Sequence, residues 1–494
     1  MSYRRILRTQ YSTIFTNLGW MLMAFSAILL LPLLFLFFYP EEVPNAIYFV
    51  ESAALSFITG YILWFMFNKK AQSSKLTIHE GAIIVFFVWL AAVFFSALPF
   101  VFANILNLTH AIFESTSGWT TTGLTLVHEE KIPRLFLVWR SLMQYFGGAG
   151  FAIIMLSSIG GGVSSGIYAA EGRMDNLQPH IKKSTKTILS IYFTYALIGF
   201  SAYVFAGMSP FDAFNHALTG LATGGFSTRH ASIGYYNSVP IEIITIVLMT
   251  LGTTGFGIHY LLWSGDFKRL KKNVEPWTYF IILVIFIPLI ASAVFGSVYT
   301  SLPESIRQST FQAVSALTGT GFATTDMTVW NHYALLLMTL LMIFGGMMDS
   351  TSGGLKLFRI FVIFKAIWIE IENFFLPKGT VRDHRAWKGN VEYKIDSDLL
   401  RNILIFTTLY VLNYTVGVVV LVAHGHDFMT AAFEYASALS TVGLSLGITS
   451  TSAPDAVIWT ETIGMFLGRL EFIIILYAIA KIFRDLKQYL QSGK

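Results

Sequence analysis

A short glycine-centred stretch that occurs four times constrains this chain more than any other feature. Thr120-Thr121-Thr122-Gly123-Leu124-Thr125 is followed by Thr223-Gly224-Gly225-Phe226-Ser227, Gly319-Thr320-Gly321-Phe322-Ala323 and Ser440-Thr441-Val442-Gly443-Leu444-Ser445. Aligned on Gly123, Gly225, Gly321 and Gly443, the next residue is always large and apolar. Six residues earlier stands a hydroxyl, Ser117, Thr219, Ser315 or Ser437, each followed by Gly or Ala. Phe113, Phe311 and Phe433 lie ten residues upstream in three copies, whereas the second copy has Asn215 there and Phe214 one earlier. That offset leaves Gly224 as a rival anchor, although the hydroxyl and small-residue pair favours Gly225. The anchors are 102, 96 and 122 residues apart, so the chain reads as a fourfold repeat of about a hundred residues.

The composition says where such repeats live. With 54% hydrophobic and 12% charged residues in 494, and a mean hydropathy of +0.62, the chain reads as a polytopic membrane protein. Leu18 to Phe38 is long enough to span and lacks a small-residue cleavage site, which makes it a first span rather than a signal peptide. The absence of cysteine excludes disulfides, thiolate metal sites and cysteine nucleophiles. A pI near 9.0 is explained by basic cytoplasmic loops and lipid contact, with no need for nucleic acid.

Two spans, Leu18 to Phe38 and Ala46 to Phe67, precede the first glycine stretch. Each later unit reads as a span, a polar half-span ending at the glycine stretch, and a second span. The half-spans are about Thr109 to Gly118, Pro210 to Gly220, Pro303 to Ala316 and Phe428 to Ala438. They carry too many polar groups for lipid and are expected as re-entrant helices buried in protein. The second spans are Pro133 to Ile159, Pro240 to Trp263, the overlong His332 to Glu370, and Val457 to Ala480. The fold class is therefore an all-α polytopic membrane protein, with four span–loop–span repeats around one central pore and two extra N-terminal spans. The divisions are 1–75 for the N-terminal spans, then 76–175, 176–270, 271–395 and 396–494 for the repeats. Counted by side, 27 of the 33 Lys and Arg share a face with both termini, against Lys131, Arg134, Arg229 and Arg307 opposite. The termini are thus expected in the cytoplasm of an inner-membrane protein, with the four loops entering from outside.

Glycine between hydroxyl residues at the tip of a re-entrant helix lets the backbone turn its carbonyls toward an axis. Four such tips make a ring that replaces the hydration shell of a monovalent cation, aided by the negative ends of the half-helix dipoles. A single copy reads more readily as close helix packing, but four copies at equivalent places reverse this in favour of the ring. The candidate ion-binding residues are Thr121, Thr122, Gly123, Thr223, Gly224, Gly225, Thr320, Gly321, Thr441, Val442 and Gly443.

With these four stretches in place, the chain resembles the Trk/Ktr/HKT superfamily of potassium-translocating subunits, and the TrkH-like branch most closely. The resemblance implies that the four glycines are filter glycines, that potassium is the ion bound and moved, and that no nucleotide binds this chain. It also implies a homodimer and a cytosolic ring of nucleotide-binding subunits of the TrkA type. A sodium-coupled or sodium-selective symporter is the alternative within transport. An intramembrane enzyme is the alternative outside it, but His259 and Asp349 are isolated fragments of any catalytic set, so no enzymatic activity is expected.

Two later features complete the reading. The overlong span is interrupted by Gly345, Gly346, Met347, Met348, Asp349, Ser350, Thr351, Ser352, Gly353 and Gly354, ending at Lys356, a run that sustains a helix poorly. By itself it is a kink or a loop; it looks like the family's intramembrane gating loop, with Met347-Met348-Asp349 bulkier than is usual there. Arg469 lies inside an apolar run, 26 residues after Gly443, and the broken segment begins 24 residues after Gly321, which predicts similar depth for both. Asp212, Glu114, Glu434 and Glu461 read as solvated acids near the outer mouth, and Gly147-Gly148-Ala149-Gly150 and Gly252-Thr253-Thr254-Gly255 as helix-packing glycines. Asn373 to Lys394 is longer than a tight turn needs and reads as the docking face for the cytosolic partner.

Overall fold

The computed structural model describes residues 3–70, 78–150, 181–377, 383–470 and 472–491. Lys75, Lys378, Arg382, Glu471 and the end of the span expected to reach Ile159 lie outside the described residues. Six helices among those described are long and apolar enough to cross a membrane. They are the two N-terminal spans and the outer helices Ile78–Phe102, Ile181–Phe205, Val274–Val294 and Ser397–Ala423. The N-terminal pair packs where each has a glycine: a β-carbon on Gly19 or Gly60 would run into the other's carbonyl oxygen. Small residues let membrane helices approach this closely, and Ser56 Oγ donates to the Leu22 carbonyl across the same contact at 3.0 Å.

After each outer helix comes a short helix: Leu108–Trp119, Pro210–Leu221, Leu302–Thr318 and Phe428–Leu439. The polarity that bars these helices from lipid lies inside protein, for Glu114, Ser115, Ser117, Asn215, His216, Gln312, Ser315, Glu434 and Ser437 are all fully buried. Three start on side-chain caps, with Asn107, Ser209 and Asp427 accepting from backbone N–H groups of the first turn. Pro210 and Pro303 occupy first-turn positions where no intrahelical donor is missed.

The inner helices are where the sequence reading needs correction. Pro240 to Trp263 was expected as one span, but Val239–Thr253 and Phe256–Ser264 meet at a 103° bend. The stretch Gly252-Thr253-Thr254-Gly255 is thus a helix break. His259 serves that break: its Nε2 lies 2.9 Å from the Leu251 carbonyl, which the break exposes, and Nδ1 faces Tyr195 Oη. The fourth inner helix likewise divides into Asp455–Arg469 and Ile473–Gln491, and the third into His332–Phe344 and Leu357–Phe374 with 345–356 between them.

One other element among the described residues is not helical. Arg385–Lys388 and Val391–Lys394 form an antiparallel hairpin, with Arg385 opposite Lys394 and Lys388 opposite Val391. Its two-residue turn is Gly389-Asn390, with Gly389 at φ 54°. Gly-Asn between short β-prone runs is a hairpin signal that the sequence reading passed over.

Candidate functional site: four loops and the segment beneath them

Each short helix ends in the same hydrogen-bonded turn. The amides of Thr122, Gly224, Thr320 and Val442 donate to the carbonyls of Ser117, Thr219, Ser315 and Ser437, five residues back, at 2.8–3.0 Å. The preceding amides, of Thr121, Thr223, Gly319 and Thr441, donate three residues back to Gly118, Gly220, Ala316 and Ala438. This pair of bonds is the Schellman closure, whose penultimate residue must be left-handed. Here Thr121, Thr223, Gly319 and Thr441 hold φ of 57°, 49°, 69° and 52°. Three are threonines, for which such a backbone costs roughly 1–3 kcal/mol each, so the surroundings must hold them there.

Two residues on, Gly123, Gly225, Gly321 and Gly443 return to positive φ, at 95°, 75°, 83° and 97°. Gly225 therefore takes the place of Gly123, and Gly224 that of Thr122, which removes the ambiguity of the second copy. The four glycines close a cycle. A β-carbon on Gly123 would collide with the Gly224 carbonyl oxygen, one on Gly225 with that of Thr320, one on Gly321 with that of Val442, and one on Gly443 with that of Thr122. Loops about a hundred residues apart thus meet in order, one to two, two to three, three to four and four to one, backbone against backbone. No side chain fits at any of the four glycines.

Behind the ring the loops are held by differing side chains. Ser117 and Ser437 Oγ accept from the Gly123 and Gly443 amides at 3.0 and 2.9 Å. Ser315 Oγ instead donates to the Phe322 carbonyl. In the second loop Thr219 turns back to its own helix, and Gln144 from the first inner helix takes over: its Nε2 donates to the Gly224 carbonyl and its Oε1 accepts from the Phe226 amide.

A second tier of clamps lies at the position nine residues before each glycine. Glu114 accepts from Thr125 Oγ1 and the Leu126 amide, His216 meets Ser227 Oγ, and Glu434 accepts from Ser445 Oγ and the Leu446 amide. Gln312 is the third member, and its amide has no hydrogen-bond partner in the structure, because Ala323 stands where the others have a hydroxyl. Glu114, Glu434, Asp212 and Glu461 are accordingly buried, not solvated at the mouth. The sequence did carry a signal for the tier: acids at equivalent places in copies one and four, each eleven residues before a hydroxyl.

The interrupted segment 345–356 lies directly under these loops. Gly345, Asp349, Gly354 and Lys356 all have positive φ, so no helix is possible. The segment borrows partners from the broken second inner helix: Met347 N donates to the Thr253 carbonyl, Thr351 N and Oγ1 to Gly252, and Phe256 N to the Asp349 carbonyl. Toward the loops, Thr351 Oγ1 lies 2.8 Å from Thr223 Oγ1, and the Thr351 carbonyl accepts from Thr121 Oγ1 at 3.4 Å. A β-carbon on Gly319 would touch Ser352 Oγ, and one on Gly353 would strike Thr441 Oγ1. The segment therefore touches the left-handed residue of all four loops.

Arg469 pins it from the fourth unit. Nη1 donates to the Thr351 carbonyl at 2.6 Å and Nη2 to the Gly147 carbonyl at 2.7 Å. Gly147 is also tightly packed, its β-position filled by the Trp119 carbonyl. Ser350 Oγ donates to the Met347 carbonyl, Ser352 Oγ accepts from the Gly346 amide, and Lys356 Nζ donates to the Ser352 carbonyl. A cavity of about 50 Å³ touches Asp349, Ser352, Gly147 and Arg469, room for only a few waters. No group of His, Cys, Asp or Glu able to hold a metal occurs among the described residues.

A backbone ring of four loops among membrane-spanning helices is an arrangement of transport proteins, and membership of a family of cation transporters makes this chain one of them and not an enzyme. The chain matches the family described as TrkH, cation transport protein, over residues 47–275 and 267–486, and it belongs to that family. It is 31% identical to the potassium uptake protein TrkH of the Trk system from Escherichia coli K12, over 93% of this chain and 96% of that one. An uncharacterized cation transporter of Methanocaldococcus jannaschii is also 31% identical, over 89% and 91%. Among solved structures, the crystal structure of the potassium transporter TrkH from Vibrio parahaemolyticus aligns with a TM-score of 0.82 at 28% identity, covering 94% of this chain and 98% of that one.

Proposed function

We propose that this chain takes up potassium across the cytoplasmic membrane through the four-loop ring, which acts as its selectivity filter. The closed cycle of Gly123, Gly225, Gly321 and Gly443 carries the reading, since it brings carbonyl oxygens from four loops to one place with no side chain between. Such oxygens replace the hydration shell of a monovalent cation. Segment 345–356, pinned by Arg469, is the gate: it lies under all four loops, and the guanidinium puts a positive charge in the cation path. The kinship with Trk-system uptake proteins supports potassium as the ion and a separate cytosolic regulatory subunit, of the nucleotide-binding TrkA type, acting on a homodimer with cytoplasmic termini.

The purified chain in liposomes is expected to take up rubidium, with potassium competing far better than sodium. Arg469→Ala should raise that uptake. Uptake blocked equally well by sodium would overturn the filter reading, and an Arg469→Ala flux equal to wild type at equal protein would overturn the gate.

A further inference from the structure

The hairpin 385–394 reaches the gate itself. Residues alternate between the faces of a strand, and in Arg385–Lys388 the inward positions are Ala386 and Lys388. A lysine is almost never fully buried unless paired, yet Lys388 is 2% exposed. Its Nζ lies 2.8 Å from Asp349 Oδ2, and both side chains are almost wholly enclosed. Asp349 sits mid-segment in the gate, in a left-handed conformation at φ 55° that Asp tolerates better than most residues.

The hairpin's other ties lead to neighbouring helices. Asn273, at the head of the third outer helix, donates to the Gly389 carbonyl at 3.2 Å, and Lys272 lies over the Trp387 ring. Tyr393 stands against Phe358, on the helix that leaves the gate, and its ring lies 5.3 Å from Lys388 Nζ. Met348, next to Asp349 in the chain, packs in one buried apolar cluster with Phe358, Ala386 and Ile403. The hairpin is fastened at its turn and its rings, and its inward lysine grips the gate.

We infer that Lys388 is a positioning residue for transport: through Asp349 it holds segment 345–356 in its obstructing place, so displacing the hairpin frees the segment. This rests on the gate reading above and adds the residue by which the basic-loop side of the protein acts on the gate. A pair closed off from water is strongly unfavourable to break one-sidedly, because the remaining buried charge loses its counter-charge. Replacing the hairpin with a flexible linker is therefore expected to change basal flux, and not only the response to a docked partner.

The test uses rubidium uptake by the full chain in liposomes, normalised to inserted protein. Lys388→Met and Asp349→Asn should each raise uptake several-fold, and the double variant no further than either single one, since both remove one interaction. The chain has no native cysteine, so Lys388→Cys with Asp349→Cys can be bridged by a short bismaleimide. Bridging should return the raised uptake to the wild-type level within one preparation, which a merely structural role would not do. If Lys388→Met inserts poorly, the neutral double variant and the bridged pair decide. Wild-type uptake in both single variants, fully additive effects, or no response to bridging would overturn the latch. Deleting 347–352 separates the two readings. A deletion that raises uptake while Lys388→Met does not leaves the gate standing and removes the latch, whereas a deletion without effect removes both.

Discussion

Behind the first loop a buried carboxylate, Glu114, meets a buried guanidinium, with Arg140 Nε 2.7 Å from Glu114 Oε1. Behind the fourth, the matching Glu434 shares the hydroxyl of Thr449 with a second carboxylate, at 2.7 Å to Glu434 and 3.1 Å to Glu461. Both acids do the same work on their loops, accepting from the amide three residues after the glycine and the hydroxyl two after it. The backbone of the ring is thus the same in both places, while the glutamate behind it faces a guanidinium in one and a second carboxyl group in the other. What must be constant is where the carbonyls lie; any side chain that supplies acceptors at the right distance holds them there. Arg140 extends the contrast, because it also donates to the Ser227 carbonyl and lies 4.0 Å from the Phe226 ring, tying loop one to loop two.

The largest way to break this comparison is Arg140→Met. It leaves Glu114 buried without its cation, a loss of about 3–5 kcal/mol by the usual cost of stripping one partner from a buried pair. The variant should melt well below wild type in detergent, and an unchanged melting temperature would mean that the pair carries no load. Next comes the ring itself. Gly123→Ser and Gly443→Ser should both lower potassium over sodium discrimination, as should Gly225→Ser, because each new β-carbon meets the next loop's carbonyl at a φ hostile to side chains. Discrimination that survives all three replacements would dissolve the ring, and survival in Gly123→Ser alone would show the loops to be unequal. The smallest effect is expected from Glu461→Gln, which keeps the shape of the side chain that faces the Thr449 hydroxyl. It should keep its flux and move the melting temperature by no more than about 1 °C, where a marked drop would show that the carboxyl group itself supports the loop.

Much of this was legible in the chain. The short helices begin and end within about two residues of their sequence bounds, because helix polarity, first-turn prolines and the terminal glycine stretches are local signals. The depth match of Arg469 and segment 345–356 followed from spacing alone, and the two do touch. The acids were misjudged as solvated because their signal, an acid eleven residues before a hydroxyl, shows only when copies one and four are compared and not in a window around either acid. The break at Thr254 was missed for a similar reason: Gly252 and Gly255 in an apolar helix suit packing and kinking equally, and the Thr351 bonds to Gly252 come from a segment a hundred residues later.

By itself, then, the sequence determined the membrane class, the order of spans and short helices, the four glycine turns and the interruption of the third inner span, since each depends on neighbours within a helix or a turn. The tertiary structure decided which carbonyl each glycine faces, that Gln144 substitutes for the hydroxyl clamp of the second loop, and that Lys388 reaches Asp349 from a hairpin. Those contacts depend on how far each helix is rotated and shifted against its neighbours, and a shift of one residue, about 1.5 Å along a helix with a turn of roughly 100°, would undo any of them. Only the packed assembly of all four loops fixes that register.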